Sequence, residues 1–148
     1  MSGTAAAAPL LAPVPGNDPS GPNLEYDAAY SELERLSVGK PEQQMGDQVI
    51  PAEDPDYRAV ARHAGELLGR TKDLRVAARI THAWLRLEGW AGLASGLELL
   101  RGLLETFWDT VHPQLDPDDG NDPTFRANVF LALVDEPFLK DVRSAPLV

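Results

Sequence analysis

The sequence contains no cysteine. Disulfides, thiolate metal centres and cysteine nucleophiles are therefore excluded, and any core must be held by packing alone. Basic residues are scarce: 13 Lys and Arg stand against 23 Asp and Glu, a net charge of −10 with the acid spread along the chain. Recognition of a phosphate backbone needs clustered cations, and so does attraction to an anionic membrane surface. Neither nucleic acid nor direct membrane insertion is expected. No apolar run is long enough to span a bilayer; the most apolar stretch, Trp90 to Leu104, carries Glu98 and Arg101. Alternating Val/Ile/Thr runs bounded by turns are missing, so no strand is expected. No G-x-S-x-G elbow occurs, and no Gly-rich loop ends in Lys-Ser/Thr.

What is present suits one domain of 148 residues. The opening residues MSGTAAAAPLLAPVPG mimic a signal peptide, but a basic n-region is missing and prolines interrupt the apolar part. Residues 1–23 are expected to form a flexible, unprocessed Pro/Gly/Ala-rich leader, with Leu10, Leu11 and Val14 laid on the domain as an extended strap. Residues 24–148 are expected to form the helical domain.

Helical periodicity carries the rest. A first helix starts at Asp27, whose carboxylate caps free N–H groups, and places Tyr30, Leu33 and Leu36 on one side. Ser37 to Glu53 is expected to be a loop, because Gly39, Pro41, Gly46 and Pro51 resist both helix and strand. The Asp54-Pro55 pair opens a second helix with a stripe of Tyr57, Val60, Ala61, Ala64, Leu67 and Leu68, stopped at Gly69. Asp73 caps a third, with Val76, Ala77, Ile80, Trp84 and Leu87 inward, ending or turning sharply at Gly89. A central fourth helix is expected from about Trp90 to His112, with Leu93, Leu97, Leu100, Leu104, Phe107 and Val111 in its packed seam and Pro113 as its stop. Gly92 and Gly96, one turn apart, suit close packing against the third helix; a dimer seam is the alternative. Asp122-Pro123 opens a helix bearing Phe125, Val129, Leu131 and Leu133, and Glu136-Pro137 begins a last short turn before an apolar tail, Ala145 to Val148. The fold class is therefore all-α: a compact bundle of about five to six helices, the central ones antiparallel because their connections are short.

Catalytic signals are weak. His63, His82 and His112 stand in no metal-ligand spacing, although His63 and His82 fall on adjacent helices. Asp116, Asp118, Asp119 and Asp122 crowd one loop, but with the wrong register for an EF-hand and no distal Glu, so a solvated acidic turn is expected rather than a calcium site. No cofactor or metal is expected. Arg75 is expected to bridge to a carboxylate or carbonyl. Arg70 and Lys72 would leave a basic spot on an acidic protein, and Trp90 stands at a helix corner as core plug or protein anchor. His112 would sit favourably at the negative end of the fourth helix. Arg70, Lys72 and Trp90 are thus the candidate partner contacts.

From Leu10 the segment LLAPVPGNDPSGPNLEYDAAYSELERL, and then Lys72-Asp73-Leu74-Arg75-Val76-Ala77, Glu88-Gly89-Trp90-Ala91-Gly92-Leu93, Gly96-Leu97 and His112-Pro113-Gln114-Leu115-Asp116, form a long ordered set of motifs. Together they resemble the N-terminal domain of the ImpA/TssA family of type VI secretion components. Thr71, Trp90 and Phe107-Trp108 depart mildly, standing where the family often has Ser, Phe and Tyr-Trp. The resemblance implies a non-enzymatic adaptor that helps baseplate assembly and contractile sheath formation, in the cytoplasm and peripheral to the inner membrane. Its expected partners are other secretion components of the baseplate, sheath or membrane complex, with homo-oligomerisation through regions outside a short or excised N-terminal module. The competing readings are a ligand-binding or enzymatic helical domain that uses the clustered carboxylates, and a regulator that dimerises through the fourth helix.

Overall fold

The computed structural model describes residues 5–146; Met1 to Thr4 of the leader, and Leu147 and Val148 of the apolar tail, lie outside the described residues. Five helices carry the fold: α1 (Ala28–Val38), α2 (Tyr57–Leu68), α3 (Leu74–Thr106), α4 (Thr124–Val129) and α5 (Glu136–Ser144). Between α1 and α2 lies a small antiparallel hairpin, β1 (Gln43–Met45) and β2 (Gln48–Ile50). The helical expectation holds, but the chain is not purely α. The hairpin escaped notice because its six residues are all exposed and carry no buried alternation. Its two-residue turn is Gly46-Asp47, with a positive φ at Gly46, the position where a two-residue hairpin turn tolerates glycine best.

Asp27 caps α1 by accepting from the Ala29 N–H, and Asp73 caps α3 by accepting from the Arg75 N–H, both as the sequence predicts. For α2 the cap is Asp56 rather than Asp54, which leaves Asp54 free to pair with Arg86 at 3.1 Å. Val60, Ala64, Leu67 and Leu68 of α2 bury against α3, and Gly69 ends the helix.

The third and fourth helices foreseen in the sequence are two arms of α3, broken at Gly89, whose φ of 64° and ψ of −140° suit glycine almost alone. The arms run antiparallel and nearly touch. A Cβ built on Gly92 would lie 2.0 Å from the Trp84 carbonyl oxygen, and one on Gly96 would lie 2.4 Å from the Thr81 side chain. The glycine face is thus spent inside the chain and is not a dimer seam. It also sets which residues of the second arm are core: Leu99, Leu100 and Leu103 are buried, while Leu97 is 48% exposed. The expected seam holds at Leu100, Phe107 and Val111, all buried, and fails at Leu97, whose place Leu99 takes where the glycine contacts set the facing side of the arm.

That second arm ends at Thr106, short of His112. Residues beyond it turn back so that His112 pairs with Asp73 in an isolated bridge, and the His112–Pro113 peptide is cis. In α4 the inward position belongs to Arg126 and Phe125 is 60% exposed; Leu131, in the 3-10 turn that follows (Phe130–Leu133), is 62% exposed. Asp135 caps α5, which is longer than the single turn expected and buries Phe138.

From Ala5 onward the N-terminal segment lies along the bundle. Leu10 and Leu11 pack against the core, with Leu11 filling the space that a side chain at Gly102 would need, and the Ser95 hydroxyl donates to the Ala5 carbonyl at 3.1 Å.

Candidate interaction surface

The corner between α2 and α3 gathers the polar residues of the family-like motifs, and it turns them inward. Lys72 is 1% exposed; its ammonium donates to the Leu68 carbonyl at 2.6 Å and the Leu10 carbonyl at 2.8 Å. It therefore caps the last turn of α2 and ties the strap to it, where a positive charge meets the negative end of the helix. Burial lowers its pKa. The expectation that Lys72 forms a surface spot is thus corrected: orphan carbonyls at the helix end draw the amine inside.

Neighbouring groups complete a clasp. The Thr71 hydroxyl donates to the Pro22 carbonyl at 2.7 Å, and the Lys72 N–H to the Ser20 carbonyl at 2.7 Å. His112, also buried, reaches the Gly21 carbonyl through Nε2 at 2.9 Å, so it binds the strap rather than ending a helix. Arg126 donates to the carbonyls of Pro113, Trp108 and Val111 at 2.7, 2.6 and 2.9 Å and stacks on Trp108. Nothing in the sequence pattern marked Arg126. Its role arises because the irregular segment after α3 leaves these carbonyls without backbone donors among the described residues.

Arg75 fulfils its structural expectation. Its guanidinium pairs with Asp73 at 2.7 Å and Glu25 at 3.2 Å and lies over the Tyr30 ring. Burial opposes its charge, but the Asp73 carboxylate outweighs that and raises the pKa. Tyr30 itself is pushed up to about 12, chiefly by burial and then by the Asp73 charge.

Of the three candidate contacts, Arg70 and Trp90 reach the surface. Arg70 is half exposed and pairs with Asp27 at 2.9 Å. Trp90 is 40% exposed beside the Gly89 corner, at the lip of a hollow of about 690 Å³ that Arg86, Lys140 and Pro146 also line. Leu97 follows two turns later on the same face of the second arm, flanked by the partly exposed Leu93 and Leu104. Arg70 and Trp90 sit at opposite ends of the first arm of α3, so they do not form one patch.

The histidines and acids form no catalytic constellation among the described residues. His82 meets Asp141 at 2.6 Å between the rings of Tyr57 and Phe138 and not His63. In the acidic turn, the carboxylates of Asp116 and Asp122 accept from the backbone N–H groups of Asp118 and Thr124. No group of three or more His, Asp or Glu is placed to hold a metal ion among the described residues. No helix among the described residues is long and apolar enough to cross a membrane.

Comparison with known proteins agrees with the motifs. The chain is 54% identical over 139 residues to the type VI secretion system component TssA1 of Pseudomonas aeruginosa, a match covering 94% of this chain and 40% of that protein. A solved structure is similar to it with a TM-score of 0.62 and 31% identity, over 89% of this chain and 51% of the other. That structure is the N-terminal domain, including the conserved ImpA_N region, of the TssA component of the type VI secretion system from Burkholderia cenocepacia. The chain therefore spans 40% of the length of the curated relative and about half that of the solved one. The family model described as ImpA, N-terminal, type VI secretion system matches residues 11–135, and the chain belongs to that family.

Proposed function

We propose that this chain acts as a non-enzymatic adaptor module of a TssA-type secretion protein, docking other components of the apparatus during baseplate assembly and sheath formation. On this reading it works in the cytoplasm, peripheral to the inner membrane, with residues 1–23 as leader and strap and 24–148 as the docking module. The observation that carries it is the second arm of α3. It is braced on one side by the glycine contacts and presents Trp90 and Leu97 to solvent on the other, at 40% and 48% exposure. A large aromatic side chain on a rigid element, beside a leucine, has the makings of a binding hot spot. The polar motif residues Thr71, Lys72 and His112 are committed to internal carbonyls and are not available for chemistry. Of the clustered carboxylates that the enzymatic alternative would use, Asp116 and Asp122 accept from backbone N–H groups of their own turn, which weighs against it. Arg70, half exposed, is the second proposed contact.

The test is direct binding of the purified chain to purified baseplate, sheath and membrane-complex proteins by biolayer interferometry. The intact chain should bind at least one. Leu97→Asp, on an exposed face, should abolish that binding while circular dichroism stays unchanged. Arg70→Gln, which avoids placing a second acid beside Asp27, should weaken it mainly through association rate. Absence of binding to every component would sink the adaptor reading.

A further inference from the structure

The first arm of α3 carries Arg75, Arg79, His82 and Arg86 at spacings of four, three and four, so all lie on one face. That face is not solvent. It floors a cleft of about 650 Å³ walled by α1 and the start of α2 on one side and by α4 and α5 on the other. From Arg75 to Arg86 the floor runs about 16 Å at 1.5 Å per residue, room for roughly five residues of extended chain. In a protein of net charge −10, three arginines in one row with Lys140 beside them concentrate positive charge in a cleft that Asp54, Asp135 and Asp141 also line.

The two ends of the row are already matched. Arg75 is held by Asp73 and Glu25. Arg86 is held by Asp54 at 3.1 Å and Asp141 at 3.3 Å, and lies 4.8 Å from the Tyr57 ring centre. His82 shares Asp141. The middle is not matched: Arg79 is partly buried and makes no hydrogen bond or ion pair among the described residues. Lys140, on the α5 wall, likewise pairs with no carboxylate among the described residues. Asp135, the one further acid lining the cleft, is occupied in capping α5. The Arg79 fork stays open to the cleft with no protein acceptor among the described residues, and a planar guanidinium is best satisfied by a carboxylate that accepts from two N–H groups together. Apolar or aromatic surface is also present, from Ala78 on the floor and from Tyr30, Val129, Ala132 and Pro137 on the walls.

We infer that this cleft is a binding site for a short acidic segment of a partner protein, with one Asp or Glu carboxylate seated on Arg79 and apolar neighbours against the walls. The floor is long enough for an extended segment, and a volume of about 650 Å³ holds a short peptide and not a folded domain. Its single unmatched guanidinium calls for one central acid and not a run of them. A polyphosphate is disfavoured, because the surrounding carboxylates and the overall charge repel multiple negative charges. The cleft adjoins the Trp90 hollow, sharing Asp54, Arg86, Lys140 and Asp141 with it, and centred on Arg79 it adds a polar recognition element to the module.

The test is selection of a displayed random octapeptide library on the intact chain, followed by affinity measurement with the synthetic winners. Selected peptides should carry Asp or Glu at a fixed position between apolar residues. Arg79→Gln should weaken them by about tenfold or more, since it removes charge and fork together. Arg79→Lys should recover part of the loss, and replacing the fixed acid by its amide should reproduce it. Leu97→Asp should leave peptide affinity unchanged, which separates this site from the docking face. Circular dichroism of Arg79→Gln should match the parent, because no internal bond is lost. Selection without an acidic position, or affinity indifferent to Arg79→Gln, would overturn the inference.

Discussion

Gly65→Ala and Gly92→Ala make the same chemical change in two helices and should move stability in opposite directions. In an exposed helix interior, replacing Gly by Ala gains about 0.8–1 kcal/mol from backbone entropy alone. A Cβ at Gly65, inside α2, meets nothing within 4 Å, so that gain should appear nearly whole. At Gly92 the new methyl falls 2.0 Å from the Trp84 carbonyl oxygen and 2.5 Å from its carbon, both of them backbone. No rotamer change relieves this, and the arms would have to part by about 1 Å. Parting them loosens Leu99, Leu100 and Leu103, which are 0%, 2% and 0% exposed. A radial gap of about 0.5–1 Å already forfeits a quarter to a half of each dispersion contact. Overpacking of this kind costs about 1–3 kcal/mol, and more where backbone must move. Taken at the upper end of that cost, because backbone is struck, and after the propensity gain, Gly92→Ala should still lose about 2 kcal/mol. Urea titration followed by helical ellipticity gives both values, and the fluorescence of Trp84 reports the arms directly. Gly92→Ala as stable as the parent would refute the close approach of the two arms, whatever Gly65→Ala does.

Leu99→Ala should cost about 2–5 kcal/mol while Leu97→Ala costs less than about 0.5 kcal/mol, a contrast that denaturant titration resolves and that equal losses would contradict. Arg126→Met should destabilise by about 3 kcal/mol or more, because three carbonyls lose their donor at once; a thermal melt within a degree or two of the parent would show that those bonds carry little. Stability should also fall between about pH 10 and 12 through Tyr30. Its folded pKa is raised to about 12, so its contribution is complete below the unfolded value of 10.0 and is lost as pH climbs through the folded one. Lys72, lowered by burial, acts in the opposite sense in part of that range. The reading therefore comes from the difference between the parent and Tyr30→Phe, whose alkaline loss should be smaller.

Much of the fold was legible because it rests on local rules. The caps at Asp27 and Asp73, the stop at Gly69 and the corner at Gly89 each follow from the conformational demands of one residue. The family motifs were equally plain. What the sequence hid were choices between near-equal local options. Asp54 and Asp56 both suit an N-cap, and only the pairing of Asp54 with Arg86 separates them. Leu97 and Leu99 are both leucines on one helix, and the contact at Gly96 decides which is core. The hairpin carried a turn signal at Gly46-Asp47 but no buried face to reveal its strands. Among site residues, Arg70 stands at the surface as expected; Trp90, open in the sequence between core plug and anchor, is 40% exposed; Lys72 is buried, since nothing in its neighbours announces that two carbonyls lack donors. The spacing of Arg75, Arg79, His82 and Arg86 was visible, but the opposite wall of their cleft comes from α4 and α5, far along the chain.

The inward turn of the polar motif residues changes how such a sequence should be read for function. A lysine in a long shared motif invites a binding role, yet Lys72 is satisfied by Leu10 and Leu68, and His112 by Gly21. These bonds join the strap, the end of α2 and the segment after α3 at one corner, and Arg126 closes the remaining carbonyls from α4. Buried polar groups that are fully paired fix a unique arrangement of elements, because any slip would orphan several of them together. Rigidity at this corner orients the two arms of α3, and those arms carry both surfaces with capacity to spare: the Trp90–Leu97 face and the Arg79 cleft. Substitutions in the clasp should therefore lower stability, and act on binding only through the folded fraction, whereas Leu97→Asp and Arg79→Gln should each remove one activity from a folded chain. Thr71→Val tests the first half of that statement. It deletes the donor to Pro22 with little change of volume, and should cost about 1–2 kcal/mol while leaving affinity per folded molecule unchanged. Loss of affinity without loss of stability in Thr71→Val would mean that the corner itself touches the partner.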